Sequence, residues 1–277
     1  MAENKFPTEM VSLPSRGWFY DSKNPLASGE IEIKYMTAKE EDILTSANLI
    51  KKGIVFDKLL QALIVDKKIK YDDLLIGDKN AIMIAARVLG YGKDYPVQFE
   101  HPDTGGVEEV IVDLTTLKDK EIDFSKHTKG VNEFEMTLPA SKRVITYKLL
   151  NQKDERMIDA DVNSMKKINP DIDADITTRL KKCILSVDGD SGRQVINSFV
   201  DNEFLSRDSF HFRTEFAKMT PDVDMTSDVK PTCQSQKILS KKTHSRKRNR
   251  EEACRRASTK IKTFHIKTCN KKRLIFR

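Results

Sequence analysis

The feature that most constrains the fold is an abrupt change in composition near residue 225. All 11 glycines precede it, the last being Gly192. Residues 226–277 hold 17 Lys and Arg against three acidic residues, whereas residues 1–225 carry a net charge of −7. A segment so basic and so poor in apolar side chains cannot bury enough surface to offset its chain entropy. We therefore predict an extended N-terminal arm over 1–28, a folded body over 29–225 and a disordered basic tail over 226–277.

The tail has two competing interpretations. Its basic clusters at 241–250 and 255–256 are typical of non-specific nucleic-acid binding through phosphate contacts. The excess of Lys, Arg, Thr, Ser, Asn and Cys, with no apolar periodicity, is also what an A-rich gene read in a shifted frame gives. The sequence is compatible with both a nucleic-acid-binding arm and a frame-altered segment.

The first half of the body predicts one strand followed by helices. Residues 30–36 alternate polar and apolar side chains, which indicates a half-buried strand. Thr37 and Glu40 then match a capping box at a helix start. A further helix is predicted over 55–65 from its apolar spacing after a break at Gly53. Another is predicted over 80–89 from its apolar spacing, with a cap at Asp78 and a stop at Gly90.

The pattern changes to short strands and then returns to helices. Four strands are predicted in two antiparallel pairs, at 95–101 with 107–114 and at 133–138 with 144–149. Helices are predicted at 153–167, 176–187, 195–205 and 208–219. The fold class is therefore α+β, a mostly helical body with an antiparallel β-hairpin region near 95–150.

No pattern in the chain encodes a reaction or a metal site. The body contains three histidines and no nucleophile-elbow motif, and the tail cysteines include no Cys-x-x-Cys pair. The carboxylates at 171–175 lack the glycine and the final glutamate of a calcium loop. No catalytic, cofactor-binding or metal-binding residue is assigned, and we predict a non-enzymatic protein. No secretion signal or membrane-length apolar run is found, which predicts a cytosolic chain without membrane contact.

Aromatic side chains are concentrated at two places. Three are consecutive in the arm, in the string Leu-Pro-Ser-Arg-Gly-Trp-Phe-Tyr at 13–20, and three lie in the predicted helix 208–219. On an irregular arm such a cluster is typical of a local core plug. The alternative is a partner-binding surface, for which the candidates are Leu13, Pro14, Arg16, Trp18, Phe19, Tyr20, Phe210, Phe212 and Phe216.

Several long strings resemble one family. Residues 13–20, 36–46 and 49–53 are similar to the N-terminal part of the baseplate hub assembly proteins of T4-like tailed bacteriophages. The likeness continues in the strings 77–83, 89–92, 179–181, 186–189 and 220–225, so that it covers roughly residues 11–225. Relatives of this type often carry paired cysteines near 100–107, where this chain has none, and metal binding is not carried over.

The resemblance implies a phage tail baseplate hub assembly factor. Such a protein would chaperone a hub or tape measure protein while the contractile tail is built, in the host cytoplasm. The alternatives are a structural subunit of the virion baseplate hub and a nucleic-acid-binding protein that acts through its basic tail. The implied partners are other baseplate hub or tape measure proteins, with nucleic acid bound only non-specifically through 226–277.

Overall fold

A computed structural model describes residues 7–100, 107–169, 174–229 and 262–265 of the 277-residue chain. The chain divides into two compact units. The first unit comprises Met1–Met83 and Asp119–Val223, and the second comprises Ile84–Lys118 and Asp224–Arg277. Helices and small antiparallel sheets are both present, which confirms the predicted α+β class. None of the described helices is long and apolar enough to cross a membrane.

The α-helices of the described segments are numbered in chain order. They are α1 Ala38–Thr45, α2 Ala47–Lys52, α3 Val55–Leu63, α4 Ile76–Tyr91, α5 Gln152–Ile168, α6 Asp175–Cys183, α7 Arg193–Ser198 and α8 Ser206–Met219. Short 3-10 turns are formed by Pro25–Ser28, Tyr71–Asp73, Leu114–Thr116 and Phe124–Lys126, and a π-helical turn is formed by Phe199–Glu203.

The strands are short and are distributed over small sheets. They are β1 Thr8–Ser12, β2 Glu30–Lys34, β3 Asp94–Glu100, β4 Val107–Asp113, β5 Lys118–Asp119, β6 Phe134–Thr137, β7 Val144–Tyr147, β8 Ile184–Val187, β9 Val223–Asp224, β10 Thr226–Val229 and β11 Lys262–His265.

The beginning of the chain is tied to the first unit by strand pairing. Strand β1 of the arm lies antiparallel to β2, with Met10 opposite Glu32. Strand β2 alternates as predicted, because Ile31 and Ile33 are buried while Glu30, Glu32 and Lys34 are accessible. The predicted capping box is confirmed, since Thr37 N–H donates to the Glu40 carboxylate at 3.0 Å at the start of α1.

A row of aromatic rings runs through the core of the first unit. Phe134 and Tyr147 are paired residues of β6 and β7, with ring centroids 5.6 Å apart. Phe19 of the arm contacts Phe134 at 5.4 Å, and Phe212 of α8 contacts Tyr147 at 5.1 Å. These tilted and edge-on contacts each add about 0.5–1.5 kcal/mol to the free energy gained from burial alone. The arm, the sheet and α8 therefore share one core.

The predicted start and end of the third helix were wrong. Helix α4 begins at Ile76 and not at 80, and Asp78 lies inside its first turn, not at its cap. The helix continues past Gly90 to Tyr91, and the left-handed conformation is found at Gly92, where φ is 85°. The apolar residues Ala81–Ile84 and Ala86 of this helix are buried.

Two further helix predictions needed correction. Residues 176–187 were predicted as one helix, but α6 ends at Cys183 and the next four residues form β8. Strand β8 completes a three-stranded sheet in the order β6-β7-β8, with Ile184 opposite Tyr147. Residues 195–205 were also predicted as one helix, but α7 ends at Ser198 and a π-helical turn follows. The helices predicted at 153–167 and 208–219 are confirmed as α5 and α8.

Two strand pairs lie among the described residues of the second unit. Strands β3 and β4 form the predicted hairpin, with Tyr95 opposite Val112, and its turn at 101–106 lies outside the described residues. Within the tail, β10 and β11 pair antiparallel. Most of the tail lies outside the described residues, and its disorder stays a prediction.

Candidate partner-binding surface

A buried carboxylate anchors the arm to the start of α4. Asp78 accepts hydrogen bonds from the Ser15 N–H at 3.0 Å, from the Ser15 hydroxyl at 2.7 Å and from the Tyr20 hydroxyl at 2.5 Å. The Tyr20 hydroxyl in turn accepts from the Leu75 N–H at 2.9 Å. All four residues are buried. The arm string at 13–20 is therefore held by a helix more than 50 residues further along the chain.

The electrostatics of this network follow from its burial. Removal from water raises the pKa of the Asp78 carboxyl, and the hydrogen bonds from Tyr20 and Ser15 act in the opposite direction without overcoming it. Burial, followed by the nearby Asp78 charge, raises the pKa of Tyr20 well above its ordinary value. The Tyr20 hydroxyl therefore keeps its proton and remains a donor to Asp78 at physiological pH.

The arm turn presents cations and aromatic rings next to one another. Arg16 is exposed and lies 5.5 Å from the centre of the Phe124 ring, and the Lys129 ammonium lies 5.8 Å from the Trp18 ring. Trp18 and Phe124 contact each other at 5.7 Å, and both are half-buried. We call Arg16, Trp18, Phe124 and Lys129 the arm patch. Tryptophan and arginine are the side chains most enriched among residues that dominate binding energy at protein interfaces.

The backbone of the arm turn fixes the position of this patch. Arg16 has a φ of 49°, a left-handed conformation that is uncommon for a side chain of this size. Gly17 follows at φ 70°, and a Cβ there would lie 2.5 Å from the Ala27 carbonyl oxygen. The Trp18 indole N–H donates to the His127 carbonyl at 3.0 Å, which holds the ring in place. The turn is therefore set by close backbone packing on one side and by a side-chain hydrogen bond on the other.

A second accessible aromatic residue lies on the outer face of α8. Phe210 is 67% exposed, whereas Phe212 on the opposite face belongs to the aromatic core row. Arg207 and Arg213 are three residues before and after Phe210, are exposed, and share its face of the helix. The face therefore combines one large apolar side chain with two cations.

The nine predicted partner-binding residues fall into two groups. Five are buried within the chain, and these are Leu13, Pro14, Phe19, Tyr20 and Phe212. Four are exposed or half-buried, and these are Arg16, Trp18, Phe210 and Phe216. Burial removes the first group from any surface that a partner could contact without rearrangement of the core. The partner-binding prediction is thereby narrowed to the second group.

Sequence reasoning missed Phe124 and Lys129, which complete the arm patch. Phe124 opens a 3-10 turn in which the Asp123 carboxylate accepts a hydrogen bond from the Ser125 N–H at 3.2 Å. An Asp-x-Ser string of this kind predicts a local turn but does not indicate which distant surface the turn will contact. The sequence signal for this part of the patch was the pair Ile122 and Phe124, two apolar side chains one residue apart in a polar stretch.

The ionisable side chains of the described segments form no metal-binding cluster of three or more His, Cys, Asp or Glu. Cys183 is buried at the end of α6, and its burial raises the pKa of the thiol to about 12. A thiol with so high a pKa is not a reactive nucleophile at neutral pH. Burial lowers the pKa of His127, whose ring packs edge-on against Phe19 and Phe134. Among these side chains, Cys183 and His127 therefore have structural roles.

Comparison with known proteins gives one match. A family model described as T4 bacteriophage base plate protein matches residues 19–245, which is most of the chain. No curated protein and no solved structure matches it.

Proposed function

Because the chain belongs to the T4 bacteriophage base plate protein family, we propose that it is a non-enzymatic assembly factor of the baseplate hub. In this role it binds a hub or tape measure protein in the cytoplasm of the infected cell and holds it until the hub of a contractile tail is built. The observation that carries the proposal is the family match over residues 19–245.

The part of the chain that resembles hub assembly proteins is joined into one substructure. The arm string at 13–20 meets the string at 77–83 through the hydrogen bonds on Asp78. Gly77 packs so closely against 221–222 that an added Cβ would lie 1.8 Å from the Pro221 carbonyl oxygen. Asn80 also donates to the Asp222 carboxylate at 3.0 Å. Strings that are far apart in the sequence therefore support one another, which favours a shared structural unit over chance likeness.

The contact surface that we assign to the partner is the arm patch together with the Phe210 face of α8. Both combine exposed or half-buried aromatic rings with arginine or lysine, and both belong to the first unit. An apolar anchor surrounded by cations suits a partner surface that carries apolar side chains among acidic ones.

The proposal is tested by affinity purification of the full-length chain from phage-infected cells, together with quantification of the chain in purified virions. An assembly factor is expected to co-purify with a hub or tape measure protein and to be absent from finished virions. Presence in virions at a fixed copy number would replace the assembly role with that of a structural hub subunit. Absence of any baseplate protein among the co-purified proteins would refute both roles.

The assigned surface is tested in the same experiment with two matched variants. Phe210→Ser removes an apolar side chain from the α8 face, and Ile168→Ser removes one that is 86% exposed at the end of α5. Neither side chain is part of the core, so both variants are expected to fold. Recovery of the partner should fall with Phe210→Ser and remain unchanged with Ile168→Ser. Equal recovery with the two variants would remove the α8 face from the proposed surface.

A further inference from the structure

A pocket separate from the arm patch lies between α5, α6, β8 and α7. Its volume is about 380 Å³, within the range of about 300–1,000 Å³ typical of sites that hold a small ligand or a few side chains. It is lined by Lys148, Asp154, Met157, Lys182, Ile184, Leu185, Ser191, Arg193 and Ile196. All of these residues belong to the first unit.

The floor of the pocket is apolar and firmly held. Ile184 of β8 is 1% exposed and Ile196 of α7 is 2% exposed, so both are fixed by the core behind them. The apolar surface that a ligand can reach is supplied by Met157 of α5, which is 43% exposed, and by the half-buried Leu185 of β8. Methionine is unbranched and polarisable, and it adapts its shape to an incoming apolar group. The floor therefore offers a place for one large apolar side chain.

The charged side chains around this floor are mostly cationic. Lys148, Lys182 and Arg193 contribute three positive charges against one carboxylate, that of Asp154. Lys148 is held by both Asp154 oxygens at 2.8 and 2.9 Å, and Lys182 is paired with Asp161 at 3.1 Å. The two lysines are thus held in place by partners of their own.

Arg193 differs from the two lysines. Its Nη1 donates to the Lys181 carbonyl at 2.7 Å, at the end of α6. Among the described residues no carboxylate pairs with its guanidinium. One side of the guanidinium is thus fixed by a main-chain acceptor, while its other N–H groups are available to a carboxylate, for which the planar guanidinium is well matched.

We propose that this pocket binds an acidic segment of a partner polypeptide, with one large apolar side chain against Met157 and Leu185 and a neighbouring carboxylate on Arg193. The inference deepens the proposed function and rests on it for the class of ligand, since an assembly factor binds polypeptide. The combination of this apolar surface with the positive charge of Arg193 selects against a basic segment and against a small inorganic anion, which would leave the apolar surface uncovered.

The test uses the full-length chain and two synthetic fluorescein-labelled heptapeptides of equal charge. One has the sequence Glu-Asp-Leu-Glu-Asp-Phe-Glu, and in the other serine replaces Leu and Phe. Binding is followed by fluorescence anisotropy. The apolar-acidic peptide is expected to bind saturably and at least about fivefold more tightly than the serine peptide, a difference of about 1 kcal/mol. No saturable binding at up to about 1 mM peptide, or equal binding of the two peptides, would refute the proposal.

Two charge reversals locate the site. Arg193→Glu places a carboxylate at the pocket, and Lys58→Glu makes the same charge reversal at an exposed position on α3 that lines neither the pocket nor the surface assigned to the partner. Affinity for the apolar-acidic peptide should fall at least about tenfold with Arg193→Glu and stay within about twofold with Lys58→Glu. Equal losses would mean that net charge alone attracts the peptide. Displacement of the peptide by millimolar inorganic phosphate would identify a small-anion site instead.

The outcome is separable from that of the proposed function. If the chain co-purifies with a hub or tape measure protein but the peptide does not bind, the pocket proposal fails and the assembly role stands. If the peptide binds as described but no baseplate protein co-purifies, the assembly role fails while the pocket remains a peptide site.

Discussion

The hydroxyl of Tyr20 offers the sharpest test of how the arm is held. Tyr20→Phe removes one oxygen atom and leaves the ring in place. That oxygen donates to Asp78 at 2.5 Å and accepts from the Leu75 N–H at 2.9 Å, and all three residues are buried. The variant therefore leaves one buried donor without its partner and deprives a buried carboxylate of one of its three donors.

The expected loss is worked from these two bonds. An unpaired buried N–H costs about 1–3 kcal/mol, and the hydrogen bond to a charged acceptor contributes about 1.5–3 kcal/mol. Asp78 keeps its two bonds from Ser15, so part of the second contribution is retained. We expect the free energy of unfolding to fall by about 2–4 kcal/mol, which is a large part of the about 5–15 kcal/mol typical of a folded domain.

The assay is urea denaturation followed by tryptophan fluorescence. Trp18 is the single tryptophan of the chain, and it lies two residues before Tyr20, so its emission reports on the arm directly. Tyr35→Phe makes the same chemical change at a half-buried tyrosine of the first unit whose hydroxyl has no hydrogen bond within the described part of the chain. A loss below about 1 kcal/mol for Tyr20→Phe, or a loss equal to that of Tyr35→Phe, would refute the proposed anchoring of the arm.

Three further predictions concern other parts of the chain. Gly77→Ala should lower the free energy of unfolding by about 3 kcal/mol or more, because its Cβ would overlap the Pro221 carbonyl, whereas Gly53→Ala, with open space but φ 71°, should cost about 1 kcal/mol in the same urea titration. Burial opposes ionisation of Glu40, but bonds from Lys34 and Thr37 lower its pKa to about 2. Its contribution to stability is thus complete above pH 4.5 and is lost as pH falls toward 2, so the stability difference between the wild type and Glu40→Gln should shrink over that range. Deletion of 226–277 should abolish salt-sensitive DNA binding in a filter assay, and DNA binding retained by the shortened chain would contradict the tail as its source.

Local signals in the sequence predicted those elements whose stabilising contacts are themselves local. The alternation in β2 and the capping box of Thr37 and Glu40 depend on residues within a few positions of each other, and both are confirmed. Asp78 was predicted as a helix cap because Asp is common there. Its actual partner Ser15 is 63 residues away, and no local pattern encodes that distance.

The end of α6 shows a different limit. The run 183–187 is short and apolar, and such a run is compatible with either the end of a helix or a buried strand. The run forms a strand because Ile184 pairs with Tyr147 of β7, and that pairing depends on the position of β7 in the sheet.

The composition of the candidate surface was predicted better than its geometry. Aromatic clustering identified the arm string and α8 correctly as the places where aromatic side chains collect. It could not separate Phe212, which lies in the core, from Phe210, which is two residues away and exposed. That separation depends on the rotation of α8 about its axis, which is set by the contact of Phe212 with Tyr147.

The close contact between the start of α4 and residues 221–222 has a consequence for synthesis of the chain. Asn80 and Asp222 are 142 residues apart, which at a translation rate of about 5–20 residues per second separates their appearance by roughly 7–30 s. During that interval Gly77 of α4 has been synthesised, but residues 221–222, which pack against it in the folded chain, have not. The contacts between the start of α4 and residues 221–222 can therefore form only when almost the whole length of the first unit has left the ribosome.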